Sequence, residues 1–482
     1  MNIKTFNTDL IELFEEWAKE KIISIKRLPL SGSNRQYFRI ISNTKNAIGV
    51  FNNKRNENIA FISFTKHFFN KGLNVPEIYS ENLDKNIYLI KDLGDKILLD
   101  VIEEKRTEKD FQSKIKKIYK NVINDLIKFQ IVAGKDIDYS KTYPVKEFNK
   151  QAMLWDLNYF KYYFLKTNNI IFNEQKLEED FNTLTNHLEK NDNNYFMYRD
   201  FQSRNIIIYN EKLYYIDYQG GRKGGLQYDL ASLLFQAKAD LPQNLRDELL
   251  LYYIKEVKRY ININEKEFVD FYYLFVFLRL MQVLGAYGFR GLYEKKPHFI
   301  KSIKYAVKNL EWLYNTHKPK IILPELFNVF EQIIENKEKN IDKKSSSKLV
   351  VSINSFSYKK EIPKDNSGNG GGFVFDCRAL PNPGRYEKYI NLSGKDKIVR
   401  DFFIDYPEMN EFLNNIYKIV DQSIDNYIER DFTSLMVNFG CTGGQHRSVF
   451  CAEHLAGHLK NKYNITVKLK HLEEINWGKY NI

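Results

Sequence analysis

Cysteine is scarce in this chain of 482 residues, which has only three: Cys377, Cys441 and Cys451. None of them lies in a C-x-x-C or other metal-ligand spacing, and three thiols are too few for a framework of disulfides. Cys377 and Cys441 fall at the ends of predicted strands, where thiols usually pack in a core. The cysteine content therefore indicates a reducing compartment and excludes the class of small disulfide-stapled proteins.

The sequence also lacks a long apolar run. Its most apolar stretch, 271–278, is stopped by Arg279 and is too short to span a bilayer. The first residues show neither the apolar segment nor the cleavage site of a signal peptide. With 43% hydrophobic residues, 35 Phe and 33 Tyr, the chain can nevertheless bury large cores. We therefore expect a soluble, cytoplasmic protein of two or three domains with no membrane partner.

No segment carries a dense charge of one sign, although the net charge is +12. Residues 336–482 hold 22 basic and 18 acidic residues, a net charge of +4, which leaves +8 for the rest. Neither part has a dense basic helix, and the abundance of Asn, Lys, Ile and Tyr is typical of AT-rich codons. A compositional origin therefore explains the positive charge better than a nucleic-acid interface does.

The most informative segment is 198–205, Y-R-D-F-Q-S-R-N, followed by I-D-Y-Q at 216–219. It places the carboxylate of Asp200, the amide of Asn205 and the carboxylate of Asp217 between short β-rich runs. Phosphoryl transfer from ATP requires this set, because one Asp accepts the proton of the attacking hydroxyl while an Asn and an Asp hold Mg²⁺. The segment predicts a catalytic Asp200, magnesium ligands at Asn205 and Asp217, and ATP and Mg²⁺ as cofactors. The alternative is two turn residues and a strand-end Asp.

R-D-x4-N at 199–205, I-D-Y-Q at 216–219 and Y-D-L-A-S-L-L at 228–234 together resemble the aminoglycoside phosphotransferase family, which has a protein-kinase-like fold. Within that family the chain is most similar to kinases of cell-wall recycling, which phosphorylate N-acetylmuramate and N-acetylglucosamine at the anomeric hydroxyl. The resemblance spans about residues 10–325. It implies an ATP-dependent kinase whose substrate is an N-acetylated amino sugar.

Four features next to the motif lead to further predictions. Arg204 would steady the transferring phosphoryl group or brace the loop. Tyr198 stands where the family usually has a His that buttresses the loop rather than moving protons. Asp229 heads the next helix and is expected to be an N-cap that braces the catalytic loop. The glycine-rich segment 220–225 reads either as a mobile basic segment that closes on phosphate or substrate, or as a solvated turn.

The pattern of the first hundred residues predicts the β-rich lobe of a kinase. A turn between two strands lies where a lid would cover the phosphates, with its backbone N–H groups facing anionic oxygens. A later strand leads into a hinge whose backbone would hold adenine. The residues predicted to bind nucleotide in the turn and the hinge are Gly32, Ser33, Asn34, Asp92 and Leu93. The third strand has no lysine at 49–53, where a kinase has one, although Lys54 and Arg55 lie just beyond.

Helical periodicity dominates from residue 101 onward. The predicted helices are 107–133, 146–168, 174–190, 229–239, 243–260, 265–290 and 298–317. A Lys-rich polar stretch with a run of three serines then indicates a linker. We therefore predict an α+β protein-kinase-like two-lobe fold followed by a smaller α/β domain. The predicted boundaries are 1–94 for the N-lobe, 95–334 for the helical C-lobe with the catalytic loop, 335–347 for the linker and 348–482 for the second domain.

The second strong motif is G-C-T-G-G-Q-H-R-S at 440–448, where a β run ends in small residues and passes directly into a helix. Consecutive glycines let backbone N–H groups surround an anion at a helix N-terminus, and His446 and Arg447 add charge. Since no Lys-Ser/Thr pair follows the glycines, this is not a nucleotide-hydrolysing P-loop. The alternative is a plain glycine-rich turn. The residues predicted to bind phosphate are Thr442, Gly443, Gly444, Gln445, His446, Arg447 and Ser448.

Together with F-D-C-R at 375–378 and L-P-N-P-G at 380–384, this motif resembles the C-terminal domain of the RNase adapter protein RapZ. The resemblance covers about residues 349–482. It implies a domain that senses glucosamine-6-phosphate and that carries an RNA-binding function in some bacteria. By the same resemblance the phosphate pocket would be formed by Thr442, Gly443, His446 and Arg447.

Two departures from that domain bear on its ligand. The His that follows Asn-Pro in the family is replaced here by Gly384-Arg385, which changes one wall of the pocket. The basic run near the C-terminus is interrupted by Glu473 and Glu474, which would repel phosphates. The sequence therefore predicts an amino sugar and a sugar phosphate as partners, and it disfavours RNA.

Three other functions stay open at the level of sequence. An aminoglycoside-modifying kinase would need an acidic pocket for a polycation, against which the +8 charge of the first part argues. A non-catalytic, pseudokinase-like regulator that binds RNA or a metabolite is favoured by the missing third-strand lysine and disfavoured by the complete Asp, Asn and Asp set. A choline- or homoserine-type kinase is compatible with every feature above.

Overall fold

The computed structural model describes residues 3–29, 35–294, 296–345, 349–365, 367–368, 371–430 and 432–477. Contacts divide the chain into two units, Met1–Ile334 and Glu335–Ile482. Among the described residues, each hydrophobic cluster lies within one unit, two clusters in the first and one in the second. Each unit therefore has its own core.

The first unit begins with a five-stranded antiparallel sheet between two helices. Its elements are α1 (Ile3–Ala18), β1 (Ser24–Arg27), β2 (Gln36–Ile41), β3 (Asn46–Phe51), α2 (Arg55–Asn70), β4 (Ile78–Asn82) and β5 (Ile87–Ile90), with strand order β1-β2-β3-β5-β4. Successive side chains of a strand point to opposite faces. In β5, accordingly, Ile87 and Leu89 belong to the cluster of α1, whereas Tyr88 and Ile90 belong to the cluster of α2. The helices thus cover the two faces of the sheet.

The rest of the first unit is mainly helical. Its helices are α3 (Leu98–Lys105), α4 (Phe111–Ile127), α5 (Lys150–Phe160), α6 (Glu174–Leu188), α7 (Leu226–Leu234), α8 (Gln243–Val257), α9 (Glu265–Tyr287), α10 (Pro297–Thr316) and α11 (Pro324–Ser345). Its strands form two antiparallel pairs, β6 (Tyr195–Met197) with β9 (Arg222–Gly224), and β7 (Ile206–Tyr209) with β8 (Lys212–Tyr215). Helix α11 continues into the predicted linker as far as Ser345.

The glycine-rich segment 220–225 is not the exposed loop that the sequence suggested. Its central residues form β9, in which Arg222 and Gly224 are buried. A Cβ atom on Gly221 would run into the ring of Phe196, and one on Gly224 would lie 2.7 Å from Met197 Sδ. The glycines therefore allow two strands to approach closely, and both the mobile-segment and the solvated-turn interpretations are wrong.

Helix α9 is the core helix of this lobe. Together with the turn that continues it to Tyr293, it is long and apolar enough to cross a membrane by length and composition, and most of it is buried inside the fold. Arg279, which seemed to end the apolar run, is only 5% exposed because it pairs with Asp200. The apolar segment is thus longer than the sequence analysis expected, and it packs within the protein core.

The second unit is a parallel sheet with helices. Its elements are β10 (Val350–Ser357), β11 (Gly372–Asp376), α12 (Lys397–Ile404), α13 (Pro407–Glu429), β12 (Ser434–Cys441), α14 (Arg447–Lys462) and β13 (Thr466–His471), with strand order β11-β12-β10-β13. All three strand pairs are parallel. In such sheets ligands bind outside the carboxyl ends of the strands. The ends of β10 and β12 lie side by side, since Ser357 pairs with Cys441.

Because each hydrophobic cluster belongs to one unit, we expect fragments 1–345 and 349–482 to fold independently. Each fragment should be monomeric or uniformly oligomeric in gel filtration and should unfold cooperatively when heated. The full chain should show two transitions, each within a few degrees of the Tm of one fragment. An insoluble fragment, or one that melts without cooperativity while the full chain melts cooperatively, would contradict this division.

Candidate active site and candidate anion site

Asp200 lies in the loop between β6 and β7, and two guanidiniums contact its carboxylate. Arg279 of α9 donates from Nη2 to Oδ1 at 2.8 Å, and Arg204 donates from Nη2 to Oδ2 at 3.1 Å. The side-chain amide of Gln202 donates to the same carboxylate. Burial acts to raise the pKa of Asp200, but the two guanidiniums outweigh it and lower the pKa to about 2. Asp200 is therefore ionised and firmly oriented at neutral pH.

Asn205 and Asp217 lie side by side next to Asp200. The amide of Asn205 donates to the main-chain oxygen of Asp200 at 2.8 Å and to Asp217 Oδ2 at 3.3 Å, and Gln219 donates to Asp217 Oδ1 at 2.6 Å. Burial and the charge of Asp200 raise the pKa of Asp217. A bound divalent cation would instead lower the pKa of Asp217. The three predicted catalytic and metal-binding residues are thus brought together, with Arg204 beside them.

This oxygen-rich pair fits Mg²⁺ better than a transition metal. Among the described residues, no group of three or more His, Cys, Asp and Glu side chains could enclose a metal ion. Mg²⁺ is commonly bound by one or two protein oxygens, with water and the phosphates of a nucleotide completing its shell. Asn205 and Asp217 are therefore sufficient protein ligands for a magnesium ion that arrives with a nucleotide.

A buried carboxylate on α7, that of Asp229, holds the catalytic loop in place. It accepts the backbone N–H of Tyr198 at 2.7 Å and that of Arg199 at 2.9 Å, as well as the side-chain amide of Gln130 at 3.1 Å. Burial raises its pKa to about 6, against the effect of these hydrogen bonds. Asp229 is the fourth residue of α7, whose N-cap is Gly225. The N-cap prediction is therefore wrong, although the carboxylate does brace the loop.

The residues just before Asp200 link the loop to its surroundings. Arg199 has a φ of 82°, in the left-handed region that non-glycine residues rarely adopt. Its guanidinium donates to both oxygens of Asp156, at 2.6 and 2.7 Å. Tyr198 stands where the family that the chain resembles usually has a His. Its hydroxyl donates to the Ile216 carbonyl at 2.7 Å. A tyrosine at this position thus joins the loop to the segment that carries the second Asp.

Of the four predicted catalytic and metal-binding residues, Asp200 and Asp217 line a cavity of about 220 Å³, and Arg204 and Asn205 do not. Its walls are Arg199, Asp200, Asp217, Gln219, Gly220, Arg279 and Gln282. Arg279 and Gln282, which come from α9, were not among the predicted site residues. A signal for Arg279 was present, because a charged residue inside an apolar core helix is buried only where it has a partner.

The predicted nucleotide-binding residues are only partly described. Gly32, Ser33 and Asn34 lie outside the described residues. Asp92 and Leu93 follow β5, at the passage from the sheet to the helical lobe. The Asp92 carboxylate accepts from Arg39 Nε at 2.6 Å and from the N–H of Gly94 at 2.9 Å. Because this side chain is engaged within the hinge, we expect adenine to contact main-chain atoms there.

In the second unit, the glycine-rich turn joins β12 to α14. Gly444 has a φ of 68°, and a Cβ atom there would lie 2.6 Å from Glu473 Cγ, so glycine is required. A Cβ atom on Gly443, by contrast, would meet open space. A cavity of about 160 Å³ lies at this turn. It is lined by Lys359, Asn382, Gly384, Ile390, Cys441, Thr442, Gly443, Gln445, His446 and Arg447.

Five of the seven predicted phosphate-binding residues line this cavity, and Gly444 and Ser448 do not. Ser448 is buried, with its hydroxyl 3.1 Å from Cys441 Sγ. Arg447 is 5% exposed and donates from Nη1 to the carbonyls of Arg378 at 2.8 Å and Leu380 at 3.2 Å. Arg447 therefore holds a neighbouring loop as well as facing the cavity.

The positive charge of this cavity comes from Arg447 and Lys359. Burial lowers the pKa of His446, whose Nε2 lies 2.9 Å from the Tyr389 carbonyl, so His446 is neutral near pH 7. This lowered pKa gives no support to the prediction that His446 adds charge. Lys359 was missed, although it follows β10 at the sheet edge where β12 also ends. Adjacent parallel strands place such residues together, and this was the available signal.

Comparison with known families identifies both parts of the chain. Residues 24–262 match the model of the phosphotransferase enzyme family, and residues 349–474 match that of the RapZ C-terminal domain. The chain is therefore similar to the phosphotransferase enzyme family in its first part and to the RapZ C-terminal domain in its second. The resemblances to these two families are confirmed, and so is the fold class of a kinase-like two-lobe domain followed by an α/β domain, whereas the closer similarity to amino-sugar kinases stays a prediction.

Individual relatives share only parts of the chain. A nucleotide-binding protein of Clostridium kluyveri is 37% identical over 135 residues, which are 28% of this chain and 44% of that protein. One of Psychrobacter arcticus is 32% identical over 196 residues, 40% of this chain and 55% of that protein. The chain thus spans about half the length of these curated relatives.

The solved structures that match this chain are more distant in sequence. The choline kinase LicA from Streptococcus pneumoniae is 16% identical, with 64% of this chain and 99% of that chain covered and a TM-score of 0.42. A choline kinase from Cryptosporidium parvum is 12% identical, with 71% and 97% covered and a TM-score of 0.45.

Replacing Asp229 by Ala should destabilise the phosphotransferase-family domain. The backbone N–H groups of Tyr198 and Arg199 would lose their acceptor while remaining buried, at about 1–3 kcal/mol for each group. We expect the free energy of unfolding, measured with urea, to fall by about 2–5 kcal/mol. Asp270→Ala, at an exposed position of α9, is the control and should change it by under about 0.5 kcal/mol. Equal losses in both variants would show that Asp229 does not brace the loop.

Proposed function

We propose that the phosphotransferase-family domain is an ATP- and Mg²⁺-dependent kinase that phosphorylates N-acetylmuramate or N-acetylglucosamine at the anomeric hydroxyl, in cell-wall recycling. The observation that carries the proposal is the ionised carboxylate of Asp200, held by Arg204 and Arg279 at the wall of a cavity. Asn205 and Asp217 lie beside it, as phosphoryl transfer requires. The three cysteines, all free and buried, support a cytoplasmic location.

The low pKa of Asp200 defines its part in the reaction. A carboxylate whose pKa is about 2 is a weak base, so its main work is to orient the acceptor hydroxyl. It takes the proton late, as the bond to phosphorus forms, which suits the loose transition state of phosphoryl transfer. Arg204 is close enough to neutralise charge on the transferring group. Magnesium bound at Asn205 and Asp217 would supply charge neutralisation between the nucleotide phosphates.

The lining of the cavity supports an uncharged or anionic acceptor. Arg199 and Arg279 are among its lining residues, and the only carboxylates among them are Asp200 and Asp217, which already have roles. A polycationic aminoglycoside would find no further acidic group there. None of the lining residues is aromatic, whereas quaternary ammonium groups are typically held by aromatic rings. An N-acetylated sugar, or one that carries a carboxylate such as N-acetylmuramate, is compatible with this lining.

For the RapZ C-terminal domain we propose a sugar phosphate as the ligand. Lys359 and Arg447 provide positive charge, and the turn at Gly443 leads directly into the N-terminus of α14, where an anion is stabilised. Glu473 lies against this turn, within reach of Gly444. Its buried carboxylate pairs with Lys360 at 2.9 Å and so offsets one of the nearby cations, which suits a small phosphate ester better than RNA.

Measurement of ATP consumption with N-acetylmuramate, N-acetylglucosamine, glucosamine, choline and kanamycin tests the kinase proposal. We expect turnover with the N-acetylated sugars and none with choline or kanamycin. Asp200→Asn should lower kcat by about 10²- to 10⁴-fold, because the hydroxyl is no longer oriented, while ATP affinity changes little. Asp270→Asn, an exposed change on α9, is the matched control. Turnover of choline or kanamycin alone would overturn the substrate assignment, and near-normal kcat in Asp200→Asn would overturn the catalytic role.

Calorimetry with glucosamine-6-phosphate and glucosamine tests the ligand of the second domain. We expect the phosphate ester to bind and the free sugar to bind far more weakly. Lys359→Met should weaken binding of the ester by about ten- to a hundredfold, since a charge-assisted hydrogen bond contributes about 1.5–3 kcal/mol. Lys364→Met is the control, because that side chain is 82% exposed and pairs with Glu361. Equal affinity for both sugars would overturn the proposal.

A further inference from the structure

Arg35, just before β2, buries its guanidinium inside the first lobe. The side chain is 3% exposed. Its Nη2 donates to Glu57 Oε1 at 2.8 Å, and its Nη1 donates to the hydroxyl of Tyr37 at 3.2 Å. Removing a guanidinium from water costs several kcal/mol even when it is paired, so a buried ion pair is weak evidence for a role in stability. The pair therefore calls for a functional explanation.

The partner of Arg35 belongs to the face of α2 that packs against the active site. Glu57, Phe61 and Thr65 follow at intervals of four residues and so share one face of the helix. The ring of Phe61 stacks on Tyr218 with centroids 5.4 Å apart, and the Thr65 hydroxyl lies 2.6 Å from the Tyr218 hydroxyl. The guanidinium of Arg35 lies 5.9 Å from the centroid of Phe61, over the same face.

This placement brings Arg35 close to the predicted magnesium ligand. Tyr218 is the residue after Asp217, and its ring stacks on Phe61, over which the guanidinium of Arg35 lies. In kinases the metal ion bridges the phosphates of the nucleotide, so the phosphates must lie beside its protein ligands. The guanidinium therefore lies over the face of α2 that packs beside the predicted metal ligand.

Among the described residues just after the third strand, neither cation is engaged with Glu57. Asn52, which follows β3, donates from Nδ2 to Glu57 Oε2 at 3.1 Å. Lys54 is exposed, and Arg55 is engaged elsewhere, with the Leu83 carbonyl and the Asp84 carboxylate. A lysine on the third strand would pair with the Glu57 carboxylate. Here that carboxylate is held instead by the neutral amide of Asn52, just after β3, and by Arg35, just before β2.

We propose that Arg35 contacts the nucleotide phosphates and that Glu57 positions it, so that this pair replaces the lysine–glutamate ion pair of protein kinases. The inference rests on the kinase function proposed above. A guanidinium can bind a carboxylate along one edge and a phosphate along another, which allows an arginine just before the second strand to do this work. The missing lysine then no longer favours a non-catalytic regulator.

Equilibrium titration of the full-length protein with fluorescent ATP and adenosine analogues tests this assignment. Arg35→Met should lower affinity for the ATP analogue by about ten- to a hundredfold, the effect of one charge-assisted contact, and leave affinity for the adenosine analogue within about twofold. Arg35→Lys should recover part of the loss, and Glu57→Gln should raise the KM for ATP several-fold with little change in kcat. Arg55→Met is the matched control and should bind both analogues like the wild type.

The outcomes separate this inference from the kinase proposal. If the wild type binds no ATP analogue, both are overturned. If the wild type binds it and Arg35→Met binds it equally well, only the role of Arg35 is overturned. Equal loss of both analogues in Arg35→Met would show a purely structural role and would also overturn it. Thermal unfolding shows whether Arg35→Met folds. If that variant does not fold, Glu57→Gln provides the test, and an unchanged KM for ATP in Glu57→Gln overturns the inference.

Discussion

The carboxylate of Asp229 is the interaction on which the candidate active site depends. It accepts two consecutive backbone N–H groups, those of Tyr198 and Arg199, and thereby holds Arg199 in a left-handed conformation. Such a conformation persists only where the surroundings determine it. That backbone directs the Arg199 side chain to Asp156 and presents Asp200 to the cavity. The geometry of the loop is thus determined by a residue of α7, about thirty positions further along the chain.

Charge balance explains why Asp200 is both buried and ionised. Its carboxylate lies between Arg204 from its own loop and Arg279 from the core of α9. Burying Arg279 in an apolar helix is costly, and ion pairs of this kind contribute little net stability. These ion pairs do hold the Asp200 carboxylate in one orientation before a substrate binds. Preorganised charges of this type account for much of the rate enhancement of enzymes, because they need no rearrangement during the reaction.

The sequence predicts features that depend on local spacing and misses those that depend on distant contacts. The catalytic Asp, Asn and Asp set was visible because its chemistry demands a fixed spacing, and long helices such as α9 were visible from their periodicity. Strand β9 was missed, since nothing local shows that its glycines let it pack against Phe196 and Met197. Arg279 was missed because its partner is 79 residues away. The role of Arg35 was missed for the same reason, since Glu57 belongs to another element.

Each of the two units binds a buried guanidinium, that of Arg35 or that of Arg447, through a different kind of acceptor. The difference agrees with their proposed roles. In the kinase-like domain Arg35 is bound by the Glu57 carboxylate, which offsets its charge. In the second unit Arg447 is bound by main-chain carbonyls, which orient it without cancelling its charge. A cation that keeps its full charge binds an anion more strongly at a given distance. The second arrangement therefore suits a domain that retains a phosphate ester as a signal, and the first suits an enzyme that must release a nucleotide in every turnover.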